Sequence, residues 1–139
     1  MNCKPIAVIG ILVISMFFAG CLGSNPFSKD TAFDMKPQEL AVKNGEISAV
    51  KIRVANNGNS TIYPVVHFNM NSTDKPYVNF SQESYNLGSL RPGEDSGFRI
   101  VDIKARLAAG IEIKYPVKVE VINNGSVLES RDLLIAVAR

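Results

Sequence analysis

The stretch IEIKYPVKVEV, residues 111–121, alternates apolar and polar side chains. Ile111, Ile113, Tyr115, Val117, Val119 and Val121 share one face, while Glu112, Lys114, Lys118 and Glu120 share the other. A helix would scatter both sets around its circumference, whereas successive side chains of a strand point to opposite sides. The stretch is therefore a β-strand with one face buried and one face in water. Pro116 stands on the wet face and has no N–H to donate, which predicts an edge position or a bulge. Just downstream, Asn124-Gly125 fits a type I′ hairpin, whose two central residues both need positive φ. VLESRDLLIAVA then returns as the partner strand, with Leu133, Ile135 and Val137 in phase.

The same pattern recurs upstream. In ISAVKIRVANNGNS, Val50, Ile52 and Val54 point one way and Lys51 and Arg53 the other, before a turn at Asn57-Gly58. TIYPVVHFNM and SYNLGSL read as further strands, RPGED as a turn built by Pro92 and Gly93, and GFRIVDIKA as another strand. The apolar phase of that last strand slips between Ile100 and Val101, which predicts a β-bulge. An early strand near AFDMK or ELAVK brings the count to about seven. No segment sustains a 3.6-residue period; DIKARLAAG comes nearest and is brief. The expected fold is all-β, a two-sheet antiparallel sandwich over residues 31–139.

The order VKIRVANNGN, SLRPGEDSGFRIVDI, GIEIKYPVKVEV is similar to the extracytoplasmic immunoglobulin-like modules of prokaryotes. These include the cell-adhesion-related domains of bacteria and the fibronectin type III-like domains of archaeal envelope proteins. The residues carrying the resemblance are Asn56-Asn57-Gly58, Leu90-Arg91-Pro92-Gly93-Glu94 and Gly110, and it covers residues 46 to 122. It implies an immunoglobulin-like sandwich of about seven strands and does not fix a function, because such modules serve many roles. Unlike antibody domains, the chain has no tryptophan and no cysteine pair to join the sheets.

Ahead of the strands lies a different kind of segment. Lys4 precedes an apolar run, PIAVIGILVISMFFAG, that is short for a membrane span of roughly 20 residues and suited to a signal peptide over 1–20. Phe18-Ala19-Gly20-Cys21 resembles the lipobox of prokaryotic lipoproteins, departing from it in having Phe18 where leucine is commonest. The resemblance implies cleavage before Cys21, lipid on its sulfur and anchorage at the outer face of the cell membrane, with the bilayer as a partner. Cys3 would leave with the leader, so no internal disulfide could form and the fold must rest on its core. Residues 21–30 then read as a lipidated tether containing Gly23, Ser24, Asn25 and Pro26.

Charge narrows the possible partners. Removing Lys4 from the 15 basic residues leaves 14 against 13 acidic, a net of +1, which is no footprint for nucleic acid. His67 is the only histidine, and no Gly-x-Ser-x-Gly elbow occurs. In HFNM, His67 and Met70 would diverge on a strand, and Met35 is the only other methionine past the leader, so no metal site is expected. Glu94, Asp95 and Asp74 fall in loops without the Asp-rich run that calcium needs. The expectation is a chain with no catalytic residue, no metal and no cofactor.

Four Asn-x-Ser/Thr acceptors, Asn59, Asn71, Asn79 and Asn124, are candidates for N-glycosylation in an archaeal host. Tyr63, Phe80 and Tyr85 are candidate contact residues, with a core-filling role favoured for at least two of them. The functional expectation is a non-catalytic binding or envelope-interaction module for a protein or an envelope polymer. The alternative is a small-ligand or metal carrier or sensor at the cell surface.

Overall fold

The computed structural model describes residues 30–139; the leader, Cys21 and the tether up to residue 29 lie outside the described residues. Nine strands follow: β1 Thr31–Lys36, β2 Glu39–Lys43, β3 Ile47–Asn56, β4 Val65–Met70, β5 Val78–Phe80, β6 Ser84–Asn86, β7 Arg99–Ala105, β8 Glu112–Asn123 and β9 Ser126–Ala138. One sheet has the order β1-β3-β7-β5 and the other β2-β9-β8-β4-β6. A single 3-10 turn at Lys75–Tyr77 leads into β5. The expected two-sheet sandwich is thus the observed one. Every strand pair is antiparallel except β2 with β9, which run parallel.

The alternating stretches supply the layer between the sheets. Val50, Ile52 and Val54 of β3 face Val117, Val119, Val121, Leu133, Ile135 and Val137 across it, and none is more than 2% exposed. Each such burial contributes on the order of 1.5–3 kcal/mol relative to an exposed side chain. Asn124 and Gly125 adopt φ of 50° and 81°, the two positive values the hairpin between β8 and β9 requires.

Three expectations are corrected. Pro116 is not on an edge strand, since β8 is the central strand of its sheet. Its partner across β9 is Leu134, whose N–H is given to Gln38 O on the β2 side at 2.9 Å. Pro116 and Leu134 therefore form a non-hydrogen-bonded pair, and the proline nitrogen faces past the end of β4, which stops at Met70 opposite Val117. No ladder bond is lost, and a central position is open to this proline.

The second correction concerns β7, whose register with β3 runs unbroken from Arg99 to Lys104, so no bulge separates Ile100 from Val101. Ile100 simply points outward, at 63% exposure, and the register shift lies instead between Val121 and Ile122 on β8. The third is Ile111, expected on the buried face but 71% exposed. Exposure climbs from Tyr115, buried, through Ile113, half-buried, to Ile111. The strand outruns the layer that covers it.

Candidate interaction surfaces

The sandwich has two ends of different construction. The described chain enters at one, beside the β3–β4 loop, the β6–β7 connection and the β8–β9 hairpin. This entry end is organised by Asn56, the last residue of β3 and only 1% exposed. Its amide nitrogen donates to Ser60 O and Leu90 O, both at 2.8 Å, and its Oδ1 accepts from Gly58 N at 3.0 Å. Its backbone is also engaged, with Asn56 N donating to Glu94 O and Gly93 N donating to Asn56 O. The Asn-x-Gly and Leu-x-Pro-Gly-Glu motifs are therefore two halves of one bonded unit. Both motifs act in building this end.

Glu94 closes the second half of that unit. Its carboxylate accepts from Arg91 N at 2.7 Å and from the Arg91 guanidinium at 3.1 and 3.2 Å. The Arg91 backbone N–H first, then its side chain, holds the Glu94 carboxyl below its ordinary value of 4.5. Asp95 Oδ1 accepts from Gly97 N at 2.7 Å. Entry of the chain is fixed here too, with Asn57 N donating to Asp30 O at 2.7 Å and a Cβ on Gly58 coming within 3.0 Å of Asp30 Cβ. Near the hairpin, Arg131 donates to Glu129 at 2.8 Å, and the Glu129 side chain is 6% exposed.

The far end gathers the β2–β3 turn, the Asn71–Tyr77 connection, the β7–β8 loop and the last residues of β9. Gly45 N donates to Ala105 O, Asn44 N to Ala138 O, Leu107 N to Asn44 Oδ1 and Arg139 N to Ile111 O. Tyr115 pins the β7–β8 loop from beneath: its hydroxyl donates to Arg106 O at 2.9 Å and accepts from Ala108 N at 3.0 Å. This is the tyrosine corner of immunoglobulin-like sandwiches. Burial raises the Tyr115 hydroxyl pKa above its usual value.

The candidate contact residues divide as expected. Phe80 and Tyr85 are partly buried against Phe68, with ring centroids 5.0 and 6.0 Å away, whereas Tyr63 at the entry end is 55% exposed. His67 is half-buried on the outer face of its sheet and its Nδ1 lies 2.8 Å from Ser84 Oγ, while Met70 points into the core at 8% exposure. The two diverge as strand alternation requires. Among the described residues no three His, Cys, Asp or Glu side chains converge as metal ligands. A hollow of about 610 Å³ lies where β4 ends, with Asn69, Asn71, Pro116, Lys118, Asp132 and Leu134 on its walls. All four acceptor asparagines are exposed: Asn59 and Asn124 at the entry end, Asn71 at the far end, and Asn79 on the outer face of the edge strand β5.

No family model and no curated protein matches the chain. Solved structures are similar to it. A segment of Escherichia coli alpha-2-macroglobulin from domain MG7 to the C terminus superposes with a TM-score of 0.56 at 12% identity, over 79% of this chain and 17% of that one. PapD-like domain 7 of human CEP192 gives 0.51 at 14% identity, over 82% and 90% of the two chains. The class 5 fimbriae chaperone CfaA gives 0.51 at 14% identity over 76% of this chain, which spans 55% of the chaperone's length. At these identities the likeness is one of fold. The chain has the immunoglobulin-like β-sandwich fold, to which the PapD-like domain of CEP192 is similar.

Proposed function

We propose that this protein is a membrane-anchored extracytoplasmic lipoprotein, of the archaeal envelope kind, whose sandwich is a non-catalytic binding module for a protein or an envelope polymer. In this reading residues 1–20 are a signal peptide, Cys21 carries lipid, residues 21–30 are the tether and 31–139 face outward. The observation that carries it is the consumption of the sequence motifs by the fold. Asn56, Gly93, Glu94 and Tyr115 are bonded into loops that shape the two ends, so what is left for function is exposed surface. One of the matched structures is a fimbrial chaperone, a precedent for a protein partner.

The anchor follows from Cys21 and its small neighbours Ala19 and Gly20, ahead of a polar tether. Two lipid chains on one cysteine, at about 0.8 kcal/mol per buried methylene, suffice for stable attachment. Cys21→Ser should move the protein from the membrane fraction to the soluble one, or leave an uncleaved precursor, on fractionation and intact-mass measurement. Unchanged mass and partitioning would sink the lipid anchor in favour of a retained signal anchor.

A further inference from the structure

At the entry end, both Arg91 and Arg131 are paired to carboxylates, Glu94 and Glu129. At the far end Lys43, Lys75, Lys104, Arg106 and Arg139 are exposed, and the described ion pairs include none of them. Glu46, Asp74, Glu112 and Asp102, which lines one hollow with Ile47 and Lys104, share that end, so its cations exceed its anions by 5 − 4 = 1. The cations converge from four separate segments through the bonds that tie the loops. Lys104 pairs in register with Ile47, Arg139 N reaches Ile111 O, and the Arg106 guanidinium donates to Pro76 O at 3.2 Å while lying 5.2 Å from the Tyr77 ring centre, next to Lys75. Arg106 is thereby held in place in advance of any partner. Beside these charges stand two bare aliphatic side chains, Ile47 at 65% and Ile111 at 71% exposure.

From this arrangement we infer that the far end is a docking surface for an acidic protein surface, with Arg106 as its fixed charge, Lys75 beside it, and Ile47 and Ile111 as its apolar contacts. The inference rests on the anchored reading above for one point, the identity of what faces each end. The chain enters at the opposite end, and nine residues of tether span at most about 30 Å. A sandwich whose β9 has 13 residues is about 40 Å long at 3.3 Å per residue, so an anchor ahead of Asp30 leaves the cationic end free to point away from its own bilayer. A polyanionic polymer would satisfy the charges and leave the two isoleucines in water, whereas a protein surface covers both.

The test places a photo-crosslinking residue at Ala109, or at Asn59 as the entry-end counterpart, in the full-length chain within its native membranes. The expected result is a discrete protein adduct from Ala109, mapping to an Asp- or Glu-rich segment. Its yield should fall at least five-fold in a Lys75→Glu/Arg106→Glu variant and in about 0.5 M salt. Both substitutions are at exposed sites, and an unchanged thermal melt shows the variant folded. Lipid adducts at Ala109, an adduct insensitive to charge reversal, stronger adducts from Asn59, or none at Ala109 would each overturn the docking surface. Recovery of the chain in the soluble fraction with a charge-dependent adduct intact would instead remove the anchor and leave the surface standing.

Discussion

The two ends of this sandwich solve the same problem, finishing strands in water, by opposite means. The entry end satisfies its polar groups internally, through Asn56, and pairs Arg91 and Arg131 with neighbouring carboxylates. The far end fixes its loops through backbone bonds, the Asn44 side chain, one buried tyrosine hydroxyl and Arg106 on Pro76 O. Its exposed cations Lys43, Lys75, Lys104, Arg106 and Arg139 are in none of the described ion pairs. The difference separates an end whose cations are paired with carboxylates from one whose exposed cations lie in none of the described ion pairs. A residue whose hydrogen-bonding capacity is already spent has little to offer a ligand.

The contrast can be broken most severely at Asn56. Asn56→Ala removes three hydrogen bonds. Leu90 O keeps the Ile62 N–H, while Ser60 O and Gly58 N lose the Asn56 partner at sites open to water. At about 0.5–1.5 kcal/mol per bond the expected loss is about 2 kcal/mol. Urea unfolding at an unchanged m-value measures it; a loss under about 1 kcal/mol would mean the two motifs do not depend on each other. Tyr115→Phe keeps the buried ring and deletes only the hydroxyl, so about 1–2 kcal/mol should be lost. Amide exchange should quicken at Ala108 and stay unchanged at Gly58, which ties the effect to the far end.

The smallest effect is set by acid. Glu94 titrates below its ordinary value in the fold, so its contribution is present above pH 4.5 and lost as pH falls through the lowered value. The Arg91 amide resonance should therefore shift with a midpoint below 4.5, and Glu94→Gln should abolish that transition. A midpoint at or above 4.5 would unlink Glu94 from the entry end.

Much of the fold was legible in the chain because strand alternation is a local signal. The buried sets Val50-Ile52-Val54, Tyr115 to Val121 and Leu133-Ile135-Val137 were each readable within a dozen residues. What failed was whatever depends on a neighbour in space. Pro116 looked like an edge residue because the sequence shows the missing N–H and not the early stop of β4 at Met70. Ile100 looked like a phase slip because an outward isoleucine and a bulge read alike; Phe98, also outward, lies 4.8 Å from the Arg53 guanidinium, an apolar ring given a polar reason to face water. The parallel pairing of β2 with β9 is equally silent, since ELAVK carries no sign of direction.

The candidate surface was less legible still. Asn56 lay inside a motif that marked the fold, with nothing to tell a bonded asparagine from a turn-forming one. Lys43, Lys75, Lys104, Arg106 and Arg139 are spread over nearly a hundred positions of a chain whose net charge is close to zero. Only the strand register brings them to one end.

The placement of β1 has a mechanical consequence. β1 descends from Thr31 at the entry end with all six of its residues paired to β3, and the chain then crosses to the other sheet as β2 beside β9. A pull applied at Asp30 against the far end runs along β1, perpendicular to those hydrogen bonds. The ladder is loaded in shear, so its bonds must yield together; they cannot be peeled one at a time. A module wired this way resists a pull along its length.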